Sequence, residues 1–153
     1  MEGAIKSKTK RPPVSKGVLP ELLGYNLRRA QVRLFQHFSE TVGKHGITPG
    51  QFGVLAIIHA NEGLKQIDLA AALGVDRSTV VAVVDRLEEV GWIRRAQVPT
   101  DRRSYALNMT DFGRDSFEEL LKEVHSHERE LTEGMTEGEL DGLLNGLKFL
   151  ARR

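Results

Sequence analysis

The sequence of 153 residues contains no cysteine. Without a thiol, the chain can form no disulfide framework, no thiolate zinc site and no cysteine nucleophile. It also contains no run of the roughly 18 to 20 uncharged apolar residues that a membrane span requires. The amino end carries lysines with no apolar segment behind them, so we expect an untargeted, cytoplasmic protein.

Motifs typical of enzymes are missing as well: there is no phosphate-binding loop, dinucleotide fingerprint or nucleophile elbow. His125 and His127 are two positions apart on a predicted helix, about 200° around its axis, so they make a poor chelate and are expected on the surface. His37 and His59 fall on different predicted helices and are expected to be core or boundary residues. We therefore predict no enzymatic activity, no metal site and no cofactor.

Charge is distributed unevenly along the chain, although the formal net charge is +1. Residues 1–17 hold five basic residues against one acid, together with two prolines, and we expect them to form a disordered basic tail. Between Thr110 and Gly142, eleven acids face three bases. This segregation favours one face for a polyanion and another that avoids it, although a solvated helix surface also explains acidic runs.

Apolar spacing and capping residues predict a mainly α-helical protein with one small β-hairpin. In order along the chain, the predicted helices cover approximately residues 20–44, 48–61, 66–73, 76–90, 110–134 and 136–150. Between the fourth and fifth helices the apolar period changes from 3.6 to 2, which predicts strands at 92–98 and 104–109 joined by a loop at 99–103. Tyr105, Leu107 and Met109 are expected on one side of the second strand.

The segment 66–87 reads QIDLAAALGVDRSTVVAVVDRL and predicts a helix-turn-helix. Gly74 makes the turn between two short helices, and Val75 is expected to fill the corner. At 100° per residue, Val80 and Val84 fall on the inner side of the second helix. Its outer side combines small residues and hydroxyls with flanking arginines, a combination that suits entry into a DNA major groove.

Two other interpretations of this pattern remain open. Two packed core helices without a DNA partner would show the same apolar stripe, and winged-helix modules also serve as protein-binding units. Likewise, Arg102 and Arg103 in the predicted hairpin loop suit a solvated turn as well as a DNA contact.

Taken together, these elements resemble the MarR (multiple antibiotic resistance regulator) family of winged-helix transcription factors. The resemblance runs from about residue 22 to residue 150, in the order helix, helix, helix-turn-helix, hairpin and two long helices. It implies a mainly α fold with a small β-hairpin and long dimerisation helices at both ends.

The most specific part of the resemblance is the wing signature. D-R-R-S at 101–104, followed by L-N-M-T at 107–110 and Gly113, is similar to the family's D-x-R, L-T and glycine pattern, with Met109 in place of the usual leucine. The resemblance implies that Arg103 enters the minor groove and that Asp101 orients it.

The candidate DNA contacts lie at the starts of the two short helices, on the outer face of the second, or on the hairpin. They are Lys65, Gln66, Arg77, Ser78, Thr79, Arg86, Arg94, Asp101, Arg102 and Arg103. For Arg94 and its neighbour Arg95, an ordinary polar role on the strand is an equal alternative.

By the same resemblance, residues 48–109 form the DNA-binding lobe, and residues 18–47 and 110–153 form a dimerisation region. Long helices at both ends of so short a chain cannot both be covered by their own domain. We therefore expect a homodimer.

MarR-like proteins commonly hold small aromatic or anionic ligands between their dimerisation helices and DNA-binding lobe, so the resemblance implies an effector pocket. The candidate residues are Tyr25, Arg28, Arg29, Phe38 and His59. Core packing explains such aromatics equally well, and a solvated face explains the arginines. Arginine combined with aromatics also looks like regulators of aromatic-acid catabolism, some of which sense aryl-coenzyme A thioesters, whose phosphates need cations.

The sequence therefore predicts a sequence-specific regulator of transcription that binds a pseudo-palindromic site on double-stranded DNA as a homodimer, with no membrane partner. We expect a repressor that a small aromatic or anionic ligand, such as an aryl-coenzyme A thioester, releases from its operator. The alternative is a winged-helix protein-interaction module without operator specificity. A salt titration separates the two, since an operator binder prefers its own site to random duplex at fixed salt.

Overall fold

The computed structural model describes residues 14–98 and 101–152, and at 101–103 it describes the backbone. The chain divides into two compact units, residues 1–33 and 34–153. The first helix, α1 (Leu23–Thr41), contributes residues to both units. It starts later than predicted because Pro20 belongs to a separate 3₁₀ turn, Leu19–Glu21.

The second unit contains the other helices and a small sheet. The helices are α2 (Pro49–Ala60), α3 (Gln66–Leu73), α4 (Arg77–Glu89), α5 (Asp111–Leu131) and α6 (Glu137–Leu150), and the strands are β1 (Leu64–Lys65), β2 (Ile93–Val98) and β3 (Asp101–Met109). This architecture confirms the predicted fold class, a mainly helical protein with a winged helix-turn-helix.

Side-chain caps fix the starts of four of these helices. Thr48, Asp76, Thr110 and Thr136 each accept a hydrogen bond from the backbone amide three residues further on. Each cap satisfies an amide that the helix itself leaves unpaired and contributes about 1 kcal/mol.

The sheet differs from the predicted hairpin in two respects. A third strand, β1, pairs antiparallel with β3 through Leu64–Leu107 and Lys65–Ala106, and two residues are too short a segment to show a period. In addition, β3 already begins at Asp101, so Asp101, Arg102 and Arg103 belong to the strand and the predicted loop at 99–103 is wrong there. Residues 99 and 100 lie outside the described residues.

The core of the second unit lies between the helix-turn-helix, the sheet and α5. Its least exposed members, at 0–1% exposure, include Leu55, Ile58, Leu69, Val80, Val84, Leu87, Ile93, Leu107, Met109 and Leu120. The inner stripe predicted for α4 is therefore confirmed.

Val75 and Tyr105 are exposed, and of these two only Val75 was predicted to be covered. Val75, expected to fill the corner of the turn, is 43% exposed. Tyr105 is 46% exposed, although Leu107 and Met109 on its side of the strand are buried. Tyr105 lies beyond Ala106, the last residue of β3 that β1 covers.

The first turn of α5 lies directly against the base of the hairpin. A Cβ atom added to Gly113 would lie 1.9 Å from the carbonyl oxygen of Trp92. Thr110 reinforces this contact, because its amide donates to the same oxygen at 3.1 Å and its hydroxyl donates to the Gly91 carbonyl at 2.6 Å. No side chain larger than hydrogen fits at position 113.

His127 is buried at 1% exposure, so its predicted surface position is wrong. It continues the apolar stripe of α5 three residues after Val124, a spacing that marks the inner face. Its Nδ1 lies 2.8 Å from Nδ1 of His37, whose Nε2 lies 3.3 Å from Glu130. Within the described part of the chain, the His127 Nε2 has no hydrogen-bond partner.

Burial, together with the charge of His37, lowers the pKa of His127, although Glu128 and Glu130 act in the opposite direction. His37 itself is half-buried, as expected for a boundary residue. His59 is exposed, so its expected core or boundary position is wrong, and one side of its ring lies 4.7 Å from the ring of Phe117 between centres.

We predict that Gly113→Ala lowers the free energy of unfolding by about 2 to 4 kcal/mol, because the new methyl group forces α5 away from the Trp92 carbonyl. Urea denaturation measures the loss. Gly50→Ala is the control, since a Cβ there meets nothing within 4 Å and should leave stability unchanged or slightly raised. Equal stability of the two variants would contradict the close contact.

We also predict that stability falls as the pH drops below about 6.5, the ordinary pKa of the histidine ring. In that range unfolded His127 binds a proton that the folded state resists, so the unfolded state gains protons and stability is lost. The difference between the urea midpoints at pH 7.5 and at pH 5.5 should be smaller in His127→Phe than in the wild-type protein. His125→Phe, an exposed change on the same helix, should keep the wild-type difference. An unchanged difference in His127→Phe would rule out this origin.

Candidate nucleic-acid interface

The exposed side of α4 is the first element of the site. Its buried stripe faces the core, so its opposite side, including Arg77, Ser78, Ala82 and Asp85, is exposed. Small side chains near the start of this face leave room for a close approach to another surface. Arg77 extends from the first residue of the helix.

The cap of α4 engages the two hydroxyls predicted to contact DNA. Asp76 accepts from the Ser78 hydroxyl, from the Thr79 hydroxyl at 2.6 Å and from the Thr79 amide at 2.9 Å. These hydrogen bonds hold the pKa of Asp76 well below its usual range. Both hydroxyl protons are therefore in use, and the hydroxyls present acceptor lone pairs, which suit a base amino group and not a phosphate.

A cavity of about 690 Å³ opens where the starts of α3 and α4 face β2 and β3, the hairpin that forms the wing. Its lining residues are Lys65, Gln66, Ile67, Arg77, Val81, Arg95, Ser104 and Tyr105. It brings together three candidates that the sequence predicted: Lys65, Gln66 and Arg77. The cavity combines cationic side chains with apolar ones.

The basic residues of the helix-turn-helix and of β2 differ in whether an acid neutralises them. Arg86 pairs with Glu89 at 2.6 Å on the exposed surface, where such a pair is weak and easily exchanged. Within the described residues, no ion pair engages Lys65, Arg77 or Arg94. These three side chains carry charge that is available to a polyanion.

Arg95 and Gln66 occupy positions unlike those of the other candidates. Arg95 forms ion pairs with two acids of α4 and donates from Nε to the Gln66 side-chain oxygen at 3.3 Å. Of the two alternatives that the sequence left open for Arg95, these contacts favour a polar role on the strand over a contact with the DNA backbone.

The wing candidates are placed by their backbone. Asp101, Arg102 and Arg103 begin β3, opposite the end of β2, so they belong to the hairpin. Their side chains lie outside the described residues.

Ile67 and Tyr105 line the cavity, and sequence reasoning missed both. Ile67 is 60% exposed on the first turn of α3. A large aliphatic residue directly after two polar candidate contacts was the signal that could have identified it.

The effector candidates of the first unit lie on α1. The Arg29 guanidinium carbon lies 5.6 Å from the centre of the Tyr25 ring, within the range of a cation–π contact. Tyr25 is half-buried, and Arg28 is exposed.

The effector candidates of the second unit lie among aromatic rings. Phe38 is 3% exposed and meets the ring of His127 edge-on, at 5.4 Å between centres. His59 lies against Phe117, which also stacks on Phe52 at 5.7 Å. A smaller cavity of about 310 Å³, lined by His127, Glu123 and Glu130 among others, includes neither Phe38 nor His59.

Both units leave apolar helix faces uncovered in the single chain. On α6, no residue is buried, and Leu143, Leu144, Leu147, Phe149 and Leu150 are exposed. On α1, Leu23 and Leu27 are exposed. Rows of exposed leucines on long helices are typical of surfaces that another protein covers. Within the described residues, no helix is both long and apolar enough to cross a membrane.

Comparisons with known proteins agree with this geometry. A family model described as the MarR family matches residues 47–105. A protein of Thauera aromatica, assigned to transcriptional regulation of the hcr operon, is 40% identical over 132 residues, which are 86% of this chain and 80% of that protein.

Two solved structures of a transcriptional repressor, CouR, have a similar fold. The structure bound to a 23-mer DNA duplex is 42% identical with a TM-score of 0.88 and covers 92% of this chain and 100% of that chain. The structure bound to p-coumaroyl-CoA is 39% identical with a TM-score of 0.84 and covers 92% of this chain and 99% of that chain.

Proposed function

The chain belongs to the MarR family of transcriptional regulators, and on that premise we propose that it is a homodimeric repressor released from its operator by an aromatic acyl-coenzyme A thioester. The observation that carries the proposal is the cavity between α3, α4 and the wing, where Lys65 and Arg77 lie without an acidic partner among the described residues. A similar repressor, CouR, has been solved both with DNA and with p-coumaroyl-CoA.

The proposed DNA complex assigns a role to each part of the site. The exposed side of α4 enters the major groove, where Arg77 reaches a guanine edge and the Ser78 and Thr79 hydroxyls accept from base amino groups. Lys65 and Arg94 bind phosphates, Arg86 joins them when its surface pair with Glu89 opens, and Arg103 of the wing, oriented by Asp101, enters the minor groove beside Arg102. Gln66 contributes through its contact with Arg95.

The exposed leucines of α1 and α6 support a homodimer, because a second copy would remove them from water. Two copies present two α4 helices, so the operator is expected to be a pseudo-palindrome with half-sites about 34 Å apart. The protein acts by binding and not by catalysis, and it works in the cytoplasm, where the DNA is.

For the effector, we propose that the cations of Arg28 and Arg29 meet phosphates of coenzyme A, and that an aromatic acyl group is recognised by aromatic side chains, with Tyr25, Phe38 and His59 as candidates. Such a ligand binds more tightly to the arrangement of the dimer that cannot bind DNA than to the arrangement that can. This difference in affinity sets how far the ligand lowers the affinity for DNA.

Arg77→Ala should cost about 1 to 3 kcal/mol of binding free energy on the duplex that the wild-type protein selects from a random pool, because a bidentate base contact is lost. The measurement is fluorescence anisotropy at fixed salt on this duplex and on a shuffled duplex of the same composition. Lys122→Ala, which removes an exposed cation of α5, is the control and should change neither affinity appreciably. Equal losses on both duplexes in Arg77→Ala would reassign Arg77 to the phosphate backbone. A wild-type protein that selects no duplex would favour the protein-interaction module.

p-Coumaroyl-CoA should weaken binding to the selected duplex by about 1 to 3 kcal/mol, whereas coenzyme A alone and p-coumarate alone should have smaller effects. Arg28→Ala and Arg29→Ala should weaken binding of the thioester more than they weaken binding of DNA. Calorimetry on the DNA-free protein measures the affinity for the thioester. Arg33→Ala removes a cation from the same helix and should leave both affinities near wild type. If the thioester binds neither the free protein nor its DNA complex, the effector class is wrong while the DNA-binding proposal stands.

A further inference from the structure

A network of ion pairs and hydrogen bonds joins the outer face of α4 to the wing. Arg95, the third residue of β2, has Nη2 at 2.5 Å from Asp85 and Nη1 at 2.5 Å from Glu88. The other carboxylate oxygen of Glu88 accepts from the Arg95 backbone amide at 2.8 Å. Together with the contact to Gln66, the side chain of one strand residue binds α3 and α4 at once.

The environment of Arg95 favours a fixed geometry. Its side chain is 18% exposed, which disfavours charge, yet hydrogen bonds and the charges of Asp85 and Glu88 raise its pKa overall. A planar guanidinium that donates to three partners in different directions has few alternative positions. We expect this partly buried ion pair to fix the arrangement of α4 and β2, since removing one partner of such a pair is costly although its net contribution to stability is small.

This geometry matters because the two proposed groove contacts lie on different elements. Arg77 and Ser78 lie at the start of α4, whereas β2 leads from Arg95 directly into the hairpin. Changing the angle between α4 and β2 would therefore change the distance between the major-groove and wing contacts. Simultaneous binding in both grooves requires that distance to be fixed.

The charge of the junction points away from a direct DNA contact. Asp85 lies on the face of α4 that is proposed to meet DNA, and an acid there repels phosphates. If general electrostatics decided the matter, removing Asp85 would improve binding to any DNA. A positioning role predicts the opposite effect on the specific site.

We propose that Arg95 is a positioning residue, which Asp85 and Glu88 hold so that α4 and the wing occupy both grooves of one operator half-site. The inference rests on the proposed operator binding and concerns specificity within it. Arg95 itself is expected to contact no base.

Three neighbouring acids of α4 provide matched variants, because Asp85 and Glu88 contact Arg95 and Glu89 does not. Each change to alanine removes one negative charge and favours the helix. Asp85→Ala and Glu88→Ala should each lower the ratio of affinities for the selected and shuffled duplexes by about tenfold, within the range of coupling between neighbouring residues. Glu89→Ala should leave this ratio unchanged. All three should bind the shuffled duplex at least as tightly as wild type.

Arg95→Met in a background that carries both Asp85→Ala and Glu88→Ala separates the junction from a direct contact, because both acids of α4 that hold Arg95 are then absent. A positioning residue already released by these two changes should lower the ratio little further. An additional loss as large as that of Arg95→Met alone would indicate an independent contact and overturn the proposal, and so would a ratio preserved in both Asp85→Ala and Glu88→Ala. Circular dichroism and urea midpoints establish that each variant is folded. A wild-type protein with no duplex preference would instead reject operator binding itself.

Discussion

Burial of one stripe of α4 is the constraint on which the rest of the structure depends. Val80, Val84 and Leu87 are excluded from water against the sheet and the neighbouring helices. Because successive residues of a helix turn by about 100°, burying these three commits the opposite side to solvent. The Asp76 cap and the turn at Gly74 then fix where that exposed side begins. The proposed recognition surface is thus a consequence of core packing.

Electrostatics divides the basic residues of the winged helix-turn-helix and of the first turn of α5 into two groups. Arg95 and Arg114 are neutralised by acids from other parts of the fold, and each connects separate elements. Lys65, Arg77 and Arg94 form no ion pair within the described residues and keep their charge for a partner. The net charge of the chain, +1, conceals this difference because it counts both groups alike. A regulator that must both fold and bind a polyanion needs arginine in both roles.

The sequence predicted the elements with strong local signals and missed those set by distant contacts. Apolar periods and caps placed all six helices within a few residues, since both signals are local. Strand β1 was not predicted, because its Leu64 pairs with Leu107, which lies 43 positions further along the chain. His127 was wrongly placed on the surface, because the prediction relied on its polar side chain and not on its position in the apolar stripe of α5.

For the candidate site, residue type and spacing predicted Lys65, Gln66 and Arg77, whereas the lining role of Ile67 and Tyr105 depends on how α3 and β3 meet. The pairing of Arg95 is likewise a tertiary property.

The fit of Gly113 against Trp92 also bears on how a signal could travel through the molecule. The backbone of α5 lies in direct contact with the backbone of the hairpin base, and two hydrogen bonds of Thr110 hold them together. Because no flexible side chain lies between the two backbones, the contact between Gly113 and Trp92 is rigid. We therefore expect a rotation of α5 to move β2 and β3 together, because no side-chain rotamer between the two backbones can absorb it. In mechanical terms, α5 and the hairpin are expected to behave as one rigid body.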